Sequence, residues 1–95
     1  MGSKFDTKER FILSLSGKIK IYILSMKPLI IEAQAFIKHI YYYALYDFVK
    51  KYEDKFDIKK SEMMSYIEKA FLIAVSEIGL YRYESGRYLL CANSI

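Results

Sequence analysis

The chain has 95 residues, of which 54% are hydrophobic and 27% charged, with a formal net charge of +4. That length and balance fit one globular domain and exclude a disordered segment. Uncharged runs such as His39–Tyr46 and Ala70–Ser76 stop far short of the roughly 20 residues that cross a bilayer. The N-terminus shows no apolar segment followed by a small-residue cleavage site, so the expectation is a cytoplasmic protein without membrane contact. The single cysteine, Cys91, excludes an intramolecular disulfide and a multi-Cys metal site. Lys, Ile and Tyr abound while Gln34 and Asn93 are the only side-chain amides, a composition that hints at a thermophile. Residues 1–40 hold seven Lys or Arg against three acids, so the whole positive excess lies there.

The first element is expected over 6–26. Asp6 followed by Glu9 reads as a capping box, and Ile12, Leu15, Ile19, Tyr22, Ile23 and Met26 recur at helical spacing. A hairpin competes with it: Lys18–Ile23 alternates with period two, and Ser16-Gly17 can turn it back on Phe11–Leu15. The helix is preferred because cap and apolar spacing agree. Pro28 disfavours a helical Lys27 and can itself open a second helix over 29–56.

That second helix is the centre of the expected fold. Ile30, Ala33, Ile37, Tyr41, Ala44, Leu45, Phe48 and Tyr52 make its core stripe, with Glu32, His39, Asp47, Lys50 and Asp54 opposite. At 1.5 Å per residue it runs roughly 43 Å, while a compact chain of this size has a radius of gyration of about 12 Å. A straight helix of that length either breaks or overhangs its domain. A second stripe of Ile31, Ala35, Tyr42, Tyr46 and Val49 flanks the first; it serves internal packing in one reading and a protein contact in the other.

Residues 57–60 read as a turn, with Ser61 as N-cap of a third helix over 61–78. Met63, Ile67, Ala70, Phe71, Ala74 and Ile78 form its buried face, Leu72 falls near the opposite pole, and Gly79 ends it. Ser85-Gly86 then suits a two-residue turn between short strands, so 80–91 is a hairpin or an extended tail. The fold class is therefore mainly α: a three-helix antiparallel bundle around one long central helix, with a short C-terminal β-hairpin.

Chemistry is mostly excluded. His39 is the only histidine, and Cys91 sits beside Leu89 and Leu90 as a small packing residue. Glu53, Asp54 and Asp57 are interleaved with five lysines, which reads as a solvated, salt-bridged surface. No phosphate loop, HExxH, GxSxG or CxxC occurs, so no enzyme activity, cofactor or metal is expected. Two features can touch nucleic acid: Lys18, Lys20 and Lys27 near the first turn, and Arg82 and Arg87 among tyrosines in the tail.

The stretch IEKAFLIAVSEIGLYRYESGRYLL resembles the recognition helix and wing of winged-helix proteins. It departs from them because no internal turn divides 61–78 and because its groove face is poor in Arg, Asn and Gln. The helix FIKHIYYYALYDFVKKYEDKF and the tail GLYRYESGRYLLCANSI resemble the small helical accessory subunits of archaeal family B replicative DNA polymerase holoenzymes. This second resemblance implies a non-catalytic subunit that binds the polymerase catalytic subunit and modulates synthesis or complex stability.

The expected function is thus a protein-binding accessory subunit contacting its partner through Tyr42, Tyr46 and Val49, with Arg82, Tyr83, Arg87 and Tyr88 as a second patch. The alternative is a small winged-helix or dimeric helical DNA-binding regulator using Lys18, Lys20, Lys27, Arg82 and Arg87. A homodimer closed through the central helix is a third arrangement.

Overall fold

The computed structural model describes the backbone of residues 4–90 and the side chains of residues 7–90. Asp6 as a capping side chain and Cys91 as a packing residue lie outside the described side chains. Along the chain run α1 (Lys4–Met26), β1 (Ile30–Glu32), α2 (Ala33–His39), a π-helical turn (Ile40–Ala44), α3 (Tyr46–Phe56), α4 (Lys60–Ile78), β2 (Tyr81–Glu84) and β3 (Arg87–Leu89). The fold is mainly helical, a bundle with a small antiparallel sheet, as the hydrophobic periodicity indicates.

Residues 11–25 are helix and not hairpin. Leu15, Ile19 and Ile23 are fully buried, and each contributes about 1.5–3 kcal/mol by leaving water. That return outweighs Gly17, which costs a helix interior about 1 kcal/mol relative to Ala. Met26, expected in the core, is exposed because α1 ends there. Lys27 turns to φ 50°, its N–H still reaching Ile23 O at 2.8 Å, and Pro28 prevents further winding.

Pro28 does not open a second helix. Residues 30–32 form β1, which pairs antiparallel with β3 so that Ile31 lies opposite Tyr88. Ile30 therefore faces solvent, correcting its place in the core stripe, and Ile31 is buried instead. Glu32 is exposed as expected but stands in β1 and not within a helix, where it is the N-cap of α2 and accepts the Ala35 N–H at 2.9 Å. The helical rod from Ala33 to Phe56 measures about 36 Å and fits within a molecule 42 Å long. Shortening at its front end removes the overhang.

A second departure lies inside that rod. Leu45 N–H bonds to Ile40 O at 3.2 Å, five residues back, so the turn at 40–44 is one residue wider than α. The extra residue rotates everything after it by one position. Before the turn Ile37, Ile40 and Tyr41 are buried; after it the buried positions are Val49 and Glu53, where unbroken α phase gives Phe48 and Tyr52.

Contacts along α1 show the arrangement. Phe11 stacks on Tyr52 at 3.8 Å between ring centroids, Lys18 lies over Phe48, and Tyr22 meets His39, so α2 and α3 run antiparallel to α1. Lys8 lies over Tyr66 and Lys20 pairs with Glu77, so α4 runs parallel to α1 on the bundle's other side. The α1–α4 pair, more than the middle rod, makes the largest interface. α4 begins at Lys60 with Lys59 at its N-cap position and no side-chain cap, so Ser61 is already inside the helix. It buries Met63, Ile67, Ala70, Phe71 and Ala74, leaves Leu72 exposed, and ends at Gly79 with φ 83°. The hairpin follows, in strand order β1-β3-β2, and Tyr88 packs edge-on against Phe71 at 5.4 Å.

A candidate protein-docking surface

The wide turn at 40–44 organises two neighbouring groups of side chains. On its inner side the Tyr41 hydroxyl donates to Glu53 Oε2, and Lys50 Nζ donates to both the Tyr41 hydroxyl and Glu53 Oε1, each at 2.9 Å. Glu53 is only 8% exposed, so its two oxygens are held by protein groups. Lys50 also lies over the Tyr41 ring at 4.6 Å, and Lys60 donates to the Tyr42 hydroxyl. The bond to Tyr41, and then that to Glu53, holds the Lys50 ammonium above the ordinary lysine range; the bond to Tyr42 does the same for Lys60. A nucleophilic or basic lysine needs the opposite shift. These two are fixed cations, and the cluster ties the turn to α3 and α4.

On its outer side an aromatic band leaves the turn. Tyr42 and Tyr43 lie 6.4 Å apart, Tyr43 meets His39 at 5.7 Å, His39 meets Tyr22 at 5.8 Å, and Tyr22 meets Phe36 at 6.0 Å between centroids. A hydrogen bond of 2.7 Å joins Tyr22 Oη to His39 Nε2, so His39 is exposed but partnered. The band enters a groove of about 400 Å³ between the end of α1, β1 and α2, whose walls include Met26, Pro28, Ile30 and Phe36. Beyond the groove, Ile30 stands in register with Leu89 and Tyr81 across the outer sheet face. Exposure is high along this route: Tyr43 74%, Leu29 82%, Ile30 57%. Exposed apolar side chains that adjoin one another, rather than lying scattered, make this a candidate interaction surface.

The expected contact residues divide. Tyr42 and Tyr46 are exposed beside the cluster. Val49 is fully buried and belongs to the core, because the wide turn rotates it inward. Tyr88 is buried against Phe71, because β3 is the middle strand and turns that residue toward α4. Arg82 and Tyr83 are exposed on edge strand β2, and Arg87 pairs with Glu84 at 3.5 Å. Lys18, Lys20 and Lys27 do not gather: Lys18 lies over Phe48 of α3, Lys20 pairs with Glu77 of α4 at 3.3 Å, and Lys27 lies beyond the helix. Glu53 leaves the solvated acidic surface expected for 53–57 and is a core residue. Sequence reasoning missed Tyr43, Leu29, Ile30 and Met26. The run Tyr41-Tyr42-Tyr43 was the available signal, since three adjacent tyrosines cannot all face one core.

Among the described residues no group of His, Cys, Asp and Glu could hold a metal ion, and no helix is long and apolar enough to cross a membrane. The fold and surface define a small helical bundle, capped by a three-stranded sheet and carrying an exposed aromatic band. Comparison of the chain with family models, curated proteins and solved structures returns no match.

Proposed function

We propose that the protein is a non-catalytic interaction subunit that docks on a larger protein through the band from Tyr43 to Ile30, a family B replicative polymerase being the partner class that the sequence resemblance implies. One observation carries the reading: aromatic and aliphatic side chains adjoin from the wide turn to the outer sheet face, beside a concave groove. Tyrosines in such a place give large rigid contacts with a polar tip, the composition enriched at the centre of protein interfaces.

The test is a paired substitution, Tyr43→Ser with Ile30→Ser. Both positions are mostly exposed, so stability changes little. Titration of a family B polymerase catalytic subunit against both proteins, followed by calorimetry, should show at least about a tenfold loss for the variant, the scale of one interface hot spot. Equal affinity of the two proteins removes the band from any docking role, and no affinity in either removes the polymerase.

A second reading, DNA binding, is favoured by topology. The order helix-strand-helix-helix-strand-strand with strand order β1-β3-β2 resembles that of winged-helix proteins, and residues 57–59 supply upstream the turn that 61–78 lacks. The charge of the groove-facing helix argues the other way. The exposed positions of α4 include Glu62, Glu68, Leu72 and Glu77 against Lys60 and Lys69, and Glu77 is paired with Lys20, so the face carries no positive excess to draw phosphate. DNA affinity that falls steeply with salt would favour this second reading; none at low salt ends it.

A further inference from the structure

The bundle leaves an aromatic groove between the N-terminal half of α1 and α3, at the other end of α1 from the docking band. Phe11 lies at its base, stacked on Phe48 at 5.4 Å and on Tyr52 at 3.8 Å, and Phe56 adjoins Tyr52 at 4.7 Å between centroids. The groove encloses about 370 Å³, and Phe56 remains 42% exposed. Its charged wall residues are all cations: Arg10 from α1, and Lys51 and Lys55, one turn apart, from α3. Lys18 closes the far end, its ammonium 4.8 Å from the centre of the Phe48 ring. Among the described residues no carboxylate pairs with any of these four. By helical phase Asp47 and Asp54 stand farther round α3, beyond Lys51, and Glu9 stands on the other side of α1 from Ser14. Asp57 and Glu62 line the neighbouring recess beyond Phe56, where Glu62 accepts from the Tyr66 hydroxyl at 2.7 Å.

We infer that this groove takes an acidic amphipathic helix of a partner protein, with apolar side chains on the aromatic floor and carboxylates against Arg10, Lys18, Lys51 and Lys55. The walls are two antiparallel helices, and a third helix laid between them packs by the same ridges and grooves that hold the bundle. From Phe48 to Phe56 the floor runs about 12 Å, or two turns, so it receives anchors at i, i+3 or i+4, and i+7. Uncompensated positive charge on both walls sets the sign of the partner. A neutral or basic helix leaves those cations desolvated without partners, whereas carboxylates on its two flanks pair with both walls. A second copy does not supply such a helix: the exposed face of α4 offers Leu72 as its one large apolar anchor, with Glu68 and Lys69 beside it. Nucleic acid, the other polyanion, needs free ring faces for its bases. Here Phe11 and Tyr52 cover each other, Lys18 lies over Phe48 and Lys55 lies over Phe56. The band from Tyr43 to Ile30 takes no part in this contact.

Fluorescence anisotropy with two labelled peptides of about four helical turns tests the groove. Both carry Leu at i, i+3, i+4 and i+7; one has Glu along both flanks and the other has Lys. The Glu peptide should bind with an affinity that falls as salt rises, and the Lys peptide should not bind. Arg10→Gln with Lys51→Gln, both at exposed positions, should weaken the Glu peptide about tenfold with unchanged helical circular dichroism. Arg10→Glu with Lys51→Glu should reverse the preference and take up the Lys peptide, a gain that a misfolded chain cannot give. Tyr43→Ser with Ile30→Ser should bind the Glu peptide as the wild type does, which separates this groove from the docking band. No binding of the Glu peptide, equal binding of the two peptides, or undiminished binding by the Gln variant overturns the proposal. Displacement of the Glu peptide by oligothymidine at lower concentration than by its own unlabelled form also overturns it, and makes the groove a nucleic-acid site.

Discussion

Glu53 shows how much one side chain depends on its neighbours. In the run Lys-Lys-Tyr-Glu-Asp-Lys it has the local setting of a solvated residue, yet it is buried and accepts from Tyr41 and Lys50. Removing the carboxylate takes away the acceptor of the buried Tyr41 hydroxyl proton and one acceptor of Lys50, which still donates to the Tyr41 oxygen, so Glu53→Ala should cost about 1–3 kcal/mol in urea unfolding. Tyr41→Phe removes the donor too and should cost less than that. A neutral Glu53→Ala would mean that the cluster contributes nothing to stability. Burial of this acid was not legible because it follows from the phase of α3, and that phase is set several residues upstream. The exposed face of α4 was legible, since Leu72 lies opposite the buried Phe71 and Ala74 by spacing alone.

At the scale of elements, the wide turn decides which residues of α3 meet the core. Ile37, Ile40 and Tyr41 lead in unbroken α phase to Phe48 and Tyr52, but packing against α1 uses Val49 and Glu53. Deleting Tyr43 should convert the turn to α and keep Val49 inward, because the one-residue excess disappears with the residue. The variant should fold with native helical content. Deleting Lys51, beyond the turn, should rotate Glu53 and all that follows out of register with Val49 and cost more than about 2 kcal/mol, as large core losses do. Similar melting temperatures for the two deletions would contradict this account of the turn. The same element explains why Val49 leaves the expected contact stripe: a stripe drawn through Tyr42, Tyr46 and Val49 assumes one continuous helix, and the turn leaves the tyrosines outside while moving the valine in.

At the scale of the molecule, α1 and α4 lie side by side, the rod of α2 and α3 crosses antiparallel to them, and the sheet closes one end through Tyr88 on Phe71. The titrating groups of this assembly with shifted values all move the same way. Burial, then the hydrogen bond to Glu62, pushes the Tyr66 phenol up to about 12. Burial, then the Glu62 charge, raises Tyr52. Lys50 and Lys60 are raised by their tyrosine partners first. Folded-state values above the unfolded ones mean that the folded protein holds these protons more tightly, so the stabilisation is complete below about pH 10 and is lost as pH rises through the folded values. The melting temperature should hold level between pH 7 and 9 (about the neutral to mildly alkaline range) and fall beyond 10 or so. Tyr66→Phe should flatten part of that fall; an unchanged alkaline limb would show that Tyr66 is not one of its sources.

The sequence by itself determined α4, the stops at Pro28 and Gly79, and most of the buried positions of α1 and α4, and it offered the α1 helix and the hairpin around Ser85-Gly86 as the preferred of two readings. Each of these is encoded by residues within one or two turns of one another: apolar spacing, a ring that blocks winding, a residue that accepts positive φ. Only the tertiary structure decided that residues 30–32 are a strand, since Ile31 finds its partner in Tyr88 at the far end of the chain. It alone chose the register of α3, because α phase and shifted phase both present an apolar face and the fit against α1 separates them. The exposed band follows from those two decisions: it is what remains outside once the core has taken the residues that fit.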